Sequence, residues 1–176
     1  MHPSAAHAAQ VRGTAVPDGG SKAALWKRRS NIEMCIDTSI TRLAPTRVTV
    51  LIHGGSSEER AAVAHALHDR SPRRAEPFAA IDCAESDRED LERLLSSTVT
   101  QRSPRVRGLG TLYVSNIDAL PLWLQARFLG FLDGAQRPRV VVSARVDLSR
   151  AARAGRFWWD LHERLLLVRI ALSARR

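Results

Sequence analysis

The stretch Val48-Thr-Val-Leu-Ile-His-Gly-Gly-Ser-Ser-Glu-Glu-Arg60 decides the fold. An apolar run, a pair of glycines and a helix-forming segment give the strand–loop–helix layout of a phosphate-binding loop. Such a loop closes backbone N–H groups around phosphates, then presents a lysine and a hydroxyl that meets magnesium. Here Ser57, Glu58 and Glu59 stand at its centre, Arg60 takes the lysine station and Ala61 follows. Two carboxylates would face an anion, and like charges at short range in a poorly solvated loop cost kilocalories rather than tenths.

Working outward, residues 32–43 place Ile32, Cys35, Ile36, Ile40 and Leu43 at spacings of three and four, which predicts an amphipathic helix ended by Pro45. From Val48 apolar runs alternate with amphipathic stretches, the pattern of a parallel sheet covered by helices. Strands are expected at 48–52, 78–82, 111–114, 140–142 and 166–171. Helices are expected at 59–69, from a capping box at Ser86–Glu89 through Leu91, Leu94 and Leu95, from Pro121 through Leu132, and at 157–165. Residues 96–110 are expected to form a loop.

Composition limits the function classes. The 176 residues, 44% of them apolar, suit one domain with one core. The net charge of +9 admits a nucleic-acid or acidic partner. Arginine supplies 25 of the 27 basic residues, the mark of a GC-rich genome, so a merely solvated surface stays open beside that reading. Residues 1–30 are expected to be disordered. Their basic cluster Lys22, Lys27, Arg28 and Arg29 beside Trp26 is either a solvated linker or a tether to DNA. Cys35 and Cys83 are expected to be reduced, buried hydrophobes of a cytoplasmic protein, and no run is long enough to span a membrane.

Four stretches resemble the AAA+ sigma-54 interaction domain of bacterial enhancer-binding transcription activators. They are 44–54, the approach to the loop; 71–84, the second strand; Gly110 to Ala126, the third strand and its helix; and Gly155 to Leu165, the segment that bears arginine fingers in that family. The resemblance covers about residues 32–176 and implies an AAA+-like three-layer α/β sandwich with a five-stranded parallel sheet, here without a helical lid. It also implies departures. Gly54-Gly-Ser-Ser-Glu-Glu-Arg60 stands where the family has Gly-Glu-Ser-Gly-Thr-Gly-Lys, and Ser115 and Asn116 stand where the family has its magnesium-binding acidic pair. Nothing between Leu95 and Gly108 is similar to the Gly-Ala-Phe-Thr-Gly-Ala loop that touches the sigma factor. Arg145 takes the sensor asparagine's position, Trp158 the first finger position, and Arg164 keeps the second.

The resemblance therefore implies a degenerate, truncated member with no catalytic residues and no metal ligands. Gly54, Gly55, Ser56, Ser57, Arg60 and Asn116 would line a vestigial site, taking ATP or ADP weakly and without strong magnesium dependence. Trp158, Trp159 and Arg164 would form a contact face for an AAA+ relative or a second copy, while contact with sigma-54 is doubtful. Trp158 and Trp159 could equally be core. His53 is expected to be a loop-edge histidine rather than an anion ligand, and Asp82 and Asp118 are not expected to form an acid–base pair. A weak nucleotide-binding protein or residual ATPase and a nucleic-acid-binding module remain the alternatives.

Overall fold

Five parallel strands lie in the order β2-β3-β4-β1-β5 in a computed structural model that describes residues 31–99, 108–134 and 137–172. The strands are β1 Val50–Gly54, β2 Phe78–Asp82, β3 Thr111–Ser115, β4 Arg139–Ala144 and β5 Arg169–Leu172. The helices are α1 Asn31–Leu43, α2 Ser57–Asp69, α3 Arg88–Val99, α4 Leu122–Asp133, α5 Leu148–Arg153 and α6 Trp159–Leu166. The basic N-terminal segment and most of the stretch where the sigma-contacting loop would fall lie outside the described residues.

Burial follows from position in the sheet. Central β4 is buried along its whole length, as expected of a parallel strand covered on both faces, whereas edge β5 alternates exposed Arg169 and Ala171 with buried Ile170 and Leu172. Val50 and Ile52 of β1 join Ile36 and Ile40 of α1 and Val63 and Leu67 of α2 on one face. Leu51 points the other way, into a larger core with Leu91, Leu95, Leu124, Phe128, Leu161 and Leu165 from α3, α4 and α6. Each fully buried side chain of this kind contributes about 1.5–3 kcal/mol relative to exposure. The three-layer expectation holds.

The chain leaves β1 over the α2 face to reach β2, then returns strand by strand across the opposite face to β5. Right-handed crossovers require that change of face when the direction along the sheet reverses. The reversal opens a crevice beyond the carboxyl ends of β1 and β4, the switch point at which open α/β sheets bind ligands.

Several expectations shift in detail. The first strand begins at Val50 rather than Val48 and reaches Gly54. The fifth begins at Arg169, because Leu166 still belongs to α6 and Leu167 caps it. The Ser86–Glu89 box does not start α3. The helix opens one residue later, with the Asp87 carbonyl accepting from the Asp90 and Leu91 N–H groups, and Glu89 instead pairs with Arg93 at 3.3 Å. The expected 96–110 loop is helical as far as Val99. Helix α5, missed in the sequence, is opened by Asp147, whose side chain accepts from the Ser149 and Arg150 N–H groups. Cys83 is buried, but Cys35 is exposed, since it lies one residue from the inward stripe of Ile36 and Ile40. Burial pushes the Cys83 thiol up to about 12, helped by the nearby charges of Asp82 and Asp118.

Candidate functional site

The turn after β1 carries the phosphate-loop sequence, and several of its polar groups bond to one another. Ser56 is the N-cap of α2: its Oγ accepts from the Glu59 N–H at 3.2 Å while Glu59 Oε2 accepts from the Ser56 N–H at 2.8 Å. This is a closed capping box. Ser56 Oγ also donates to Glu58 Oε2 at 2.7 Å. Ser57 begins the helix and is exposed. Both glutamates lie in the first turn, where carboxylates favour the helix dipole, so they substitute for the anion that such a turn attracts.

Arg60 is 6% exposed and folds back over the loop, donating from Nη1 to the carbonyls of Gly54 at 3.2 Å and Gly55 at 2.9 Å. Its Nε is buried without a partner. Both contacts come from one nitrogen of the guanidinium, which closes it onto the loop backbone rather than leaving it pointing at an anion.

At the far end of β3 the register pairs Ser115 with Asp82 of β2. Ser115 Oγ donates to Asp82 Oδ2 at 2.8 Å and Asn116 Nδ2 donates to the same oxygen at 2.7 Å. Burial alone would raise the Asp82 pKa. The hydrogen bonds from Asn116, from the Ala84 backbone and from Ser115 outweigh it and hold the carboxyl below its usual value. Asn116 has φ 53, a left-handed conformation that asparagine tolerates. Asp118 is engaged elsewhere: Arg145 reaches its Oδ2 from Nε at 3.2 Å and Nη2 at 3.1 Å, and the Arg145 N–H reaches Oδ1 at 2.9 Å. The two aspartates thus serve separate networks.

The expected contact face lies on the opposite side of the sheet from α2. The Trp158 N–H donates to Gln125 Oε1 at 2.7 Å, which seats the start of α6 on α4. The indoles stay outside, Trp158 42% and Trp159 50% exposed, so the possibility that both fold into the core is excluded. Trp159 rests against the His162 ring, whose Nε2 lies 2.9 Å from Ser149 Oγ and ties α6 to α5. Arg164 pairs with Asp133 of α4 at 3.2 Å. Trp123, 38% exposed, has the guanidinium groups of Arg88 and Arg127 over its ring, 4.5 and 5.6 Å from the ring centre.

Sequence reasoning missed the Asp82 network and the internal use of Glu59. The first depends on strand order; the second was signalled by Ser56 and Glu59 at capping-box spacing.

The strand order, the loop after β1 and the helix that follows define a P-loop NTPase fold of the AAA+ class. The family model of the sigma-54 interaction domain matches residues 26–100. The transcriptional regulator NtrC of Azospirillum brasilense is 35% identical over 156 residues, covering 76% of this chain and 32% of that protein. NtrC of Salmonella typhimurium is 32% identical over 155 residues, covering 76% and 33%. Among solved structures, NtrX of Brucella abortus in complex with ADP superposes with a TM-score of 0.69 at 26% identity, covering 81% of this chain and 36% of that one. The chain belongs to the AAA+ sigma-54 interaction domain family. It spans about a third of the length of the curated relatives it matches. These matches give no support to setting the sigma factor aside as a partner. No helix among the described residues is long and apolar enough to cross a membrane.

Proposed function

We propose that this chain acts in transcriptional regulation by protein association, as a sigma-54-interaction-type domain that does not hydrolyse ATP. The observation that carries the reading is the filled phosphate loop, where Glu59 uses the Ser56 N–H and Arg60 uses the Gly54 and Gly55 carbonyls. The residues present do not fit a magnesium triphosphate. Binding one would require opening the capping box, displacing a buried guanidinium and bringing polyphosphate against Glu58 and Glu59. Asp82 is the carboxylate beside the former acidic pair, and Ser115 and Asn116 already use the oxygen a dication would need.

Phosphate release from ATP is therefore expected to stay at background. Turnover on the order of 1 per second, lost in Arg60→Ala, would overturn the proposal. In calorimetry, nucleotide binding should be weak and the same with and without magnesium; micromolar binding that requires the ion would contradict it.

The association half rests on Trp158 and Trp159. Two half-exposed indoles side by side are a costly surface to leave in water and a common one to bury against protein. We take the face from Phe157 to Arg164 to dock on an AAA+ relative or on a second copy. Light scattering after size exclusion, alone and with an active family member, should show a complex that Trp158→Arg weakens. A wild type that stays monomeric and binds no relative would remove the interface.

A further inference from the structure

The crevice at the switch point is a half-open depression of about 370 Å³ on the α5–α6 side of the sheet, a volume in the range of small-molecule sites, with Arg145, Val146, Asp147 and Arg169 exposed at its rim. Its apolar wall is Leu51, Ala144, Val146, Leu148 and Leu166. Its polar lining is His53 from β1 with the Gly54 backbone beside it, Arg145 and Asp147 from the turn after β4, Ser149 from α5 and Arg169 from β5. His53 Nε2 is buried there without a hydrogen-bond partner, a state that polar atoms rarely keep unless a ligand or water completes it.

The charges narrow the ligand. Arg145 is neutralised by its two-pronged pair with Asp118. Arg169 is exposed and makes no ion pair with a described residue. Asp147 accepts the α5 N–H groups through Oδ1, which leaves its second oxygen available. Burial lowers the His53 pKa, and Arg169 lowers it further against a smaller opposite pull from Asp147. Among the described residues the lining thus presents the Arg169 cation without an ion-pair partner, a second Asp147 oxygen beside the one that caps α5, an imidazole with an orphan nitrogen, and an apolar wall. A plain anion would meet Asp147 as readily as Arg169, and a plain cation the reverse. A small zwitterion satisfies both.

We propose that this crevice binds a free α-amino acid with an apolar side chain. Its carboxylate lies toward Arg169 and His53, its ammonium toward Asp147, and its side chain against Leu51, Leu148 and Leu166. The crevice adjoins the phosphate loop through Gly54 and the sensor position through Arg145 but is otherwise lined by other residues, and leucine binding there does not depend on whether the loop hydrolyses ATP.

Free leucine, titrated into the whole chain and followed by the His53 ring resonances in nuclear magnetic resonance, should give a saturable shift with a Kd on the order of 1 mM. Isocaproate, which lacks the amine, and isoamylamine, which lacks the carboxylate, should each bind at least about tenfold more weakly, one charge-assisted hydrogen bond apiece. Arg169→Gln and Asp147→Asn should weaken leucine to the same degree with unchanged melting, since the first residue is exposed and asparagine still caps α5. Arg93→Gln, an exposed change on α3 outside the crevice lining, should leave leucine binding intact. Absence of a saturable shift up to about 50 mM, or equal binding of leucine and either single-charge analogue, would overturn the proposal.

Discussion

Replacing Arg139 by methionine is expected to lower the free energy of unfolding by about 3–5 kcal/mol, read as a shift in the urea midpoint at unchanged slope. Arg139 opens β4, yet it is 2% exposed. Its Nη1 donates to the carbonyls of Ala44 at 3.0 Å and Leu67 at 3.1 Å, and its Nη2 donates to Leu43 at 2.9 Å. These carbonyls lie at or near the ends of α1 and α2, where helices leave acceptors without internal partners. One planar cation closes both ends at once. Burial lowers its pKa to about 10, so the guanidinium stays charged at neutral pH. Methionine fills the volume and removes the cost of burying charge, but the Ala44 and Leu67 carbonyls lose their donor, while Leu43 still accepts from the Thr46 N–H and hydroxyl, and each unmet acceptor costs about 1–3 kcal/mol. Arg139→Lys should recover part of the loss, because one ammonium cannot reproduce a fork spanning two helix ends. A loss under about 1 kcal/mol in the methionine variant would show that water replaces the guanidinium.

Gly54→Ala is the second large effect, expected to cost at least about 3 kcal/mol. Gly54 has φ +77, and a Cβ there would stand 2.1 Å from the Leu172 carbonyl oxygen, a backbone atom of β5. The edge strand must move, so hydrogen exchange should show β5 losing protection before the rest of the sheet. Gly55→Ala is expected to be milder, although φ is +59, because the nearest obstacle is the Glu59 carboxylate at 2.8 Å, the end of a flexible side chain. Equal costs in the two variants would mean that backbone conformation alone, without the Leu172 clash, sets the penalty. The comparison also bears on function. Gly54 is retained here for the close approach of β1 and β5, so its survival in an altered phosphate loop says nothing for phosphate binding.

The layout of the sheet was legible because buried parallel strands are apolar runs: 78–82 was read with the right bounds, and Val140–Val142 marked the centre of β4. Helix ends were less legible where two caps competed. Ser86 and Glu89 have capping-box spacing, yet the helix opens at Arg88. The pair Ser56 and Glu59 has the same spacing and does form the box. Local sequence does not separate the two cases; the Ser86 N–H is already donated to the Asp82 carbonyl, whereas the Ser56 N–H goes to Glu59.

What the sequence determined alone is the succession of strands and of every helix but α5, and the loss of family residues at each station of the phosphate site, since those depend on residue type and spacing. The tertiary structure decided what the replacements do. Arg60 turns onto the loop carbonyls because the glycine turn aims them at it. Ser115 and Asn116 bind Asp82 because parallel register sets β2 against β3. Arg139 is buried because two helix ends, 23 or more residues apart from each other in the chain, converge on the start of β4. The crevice exists because winding reverses at β1. Each depends on groups distant in sequence meeting in space, and no local pattern records such a meeting.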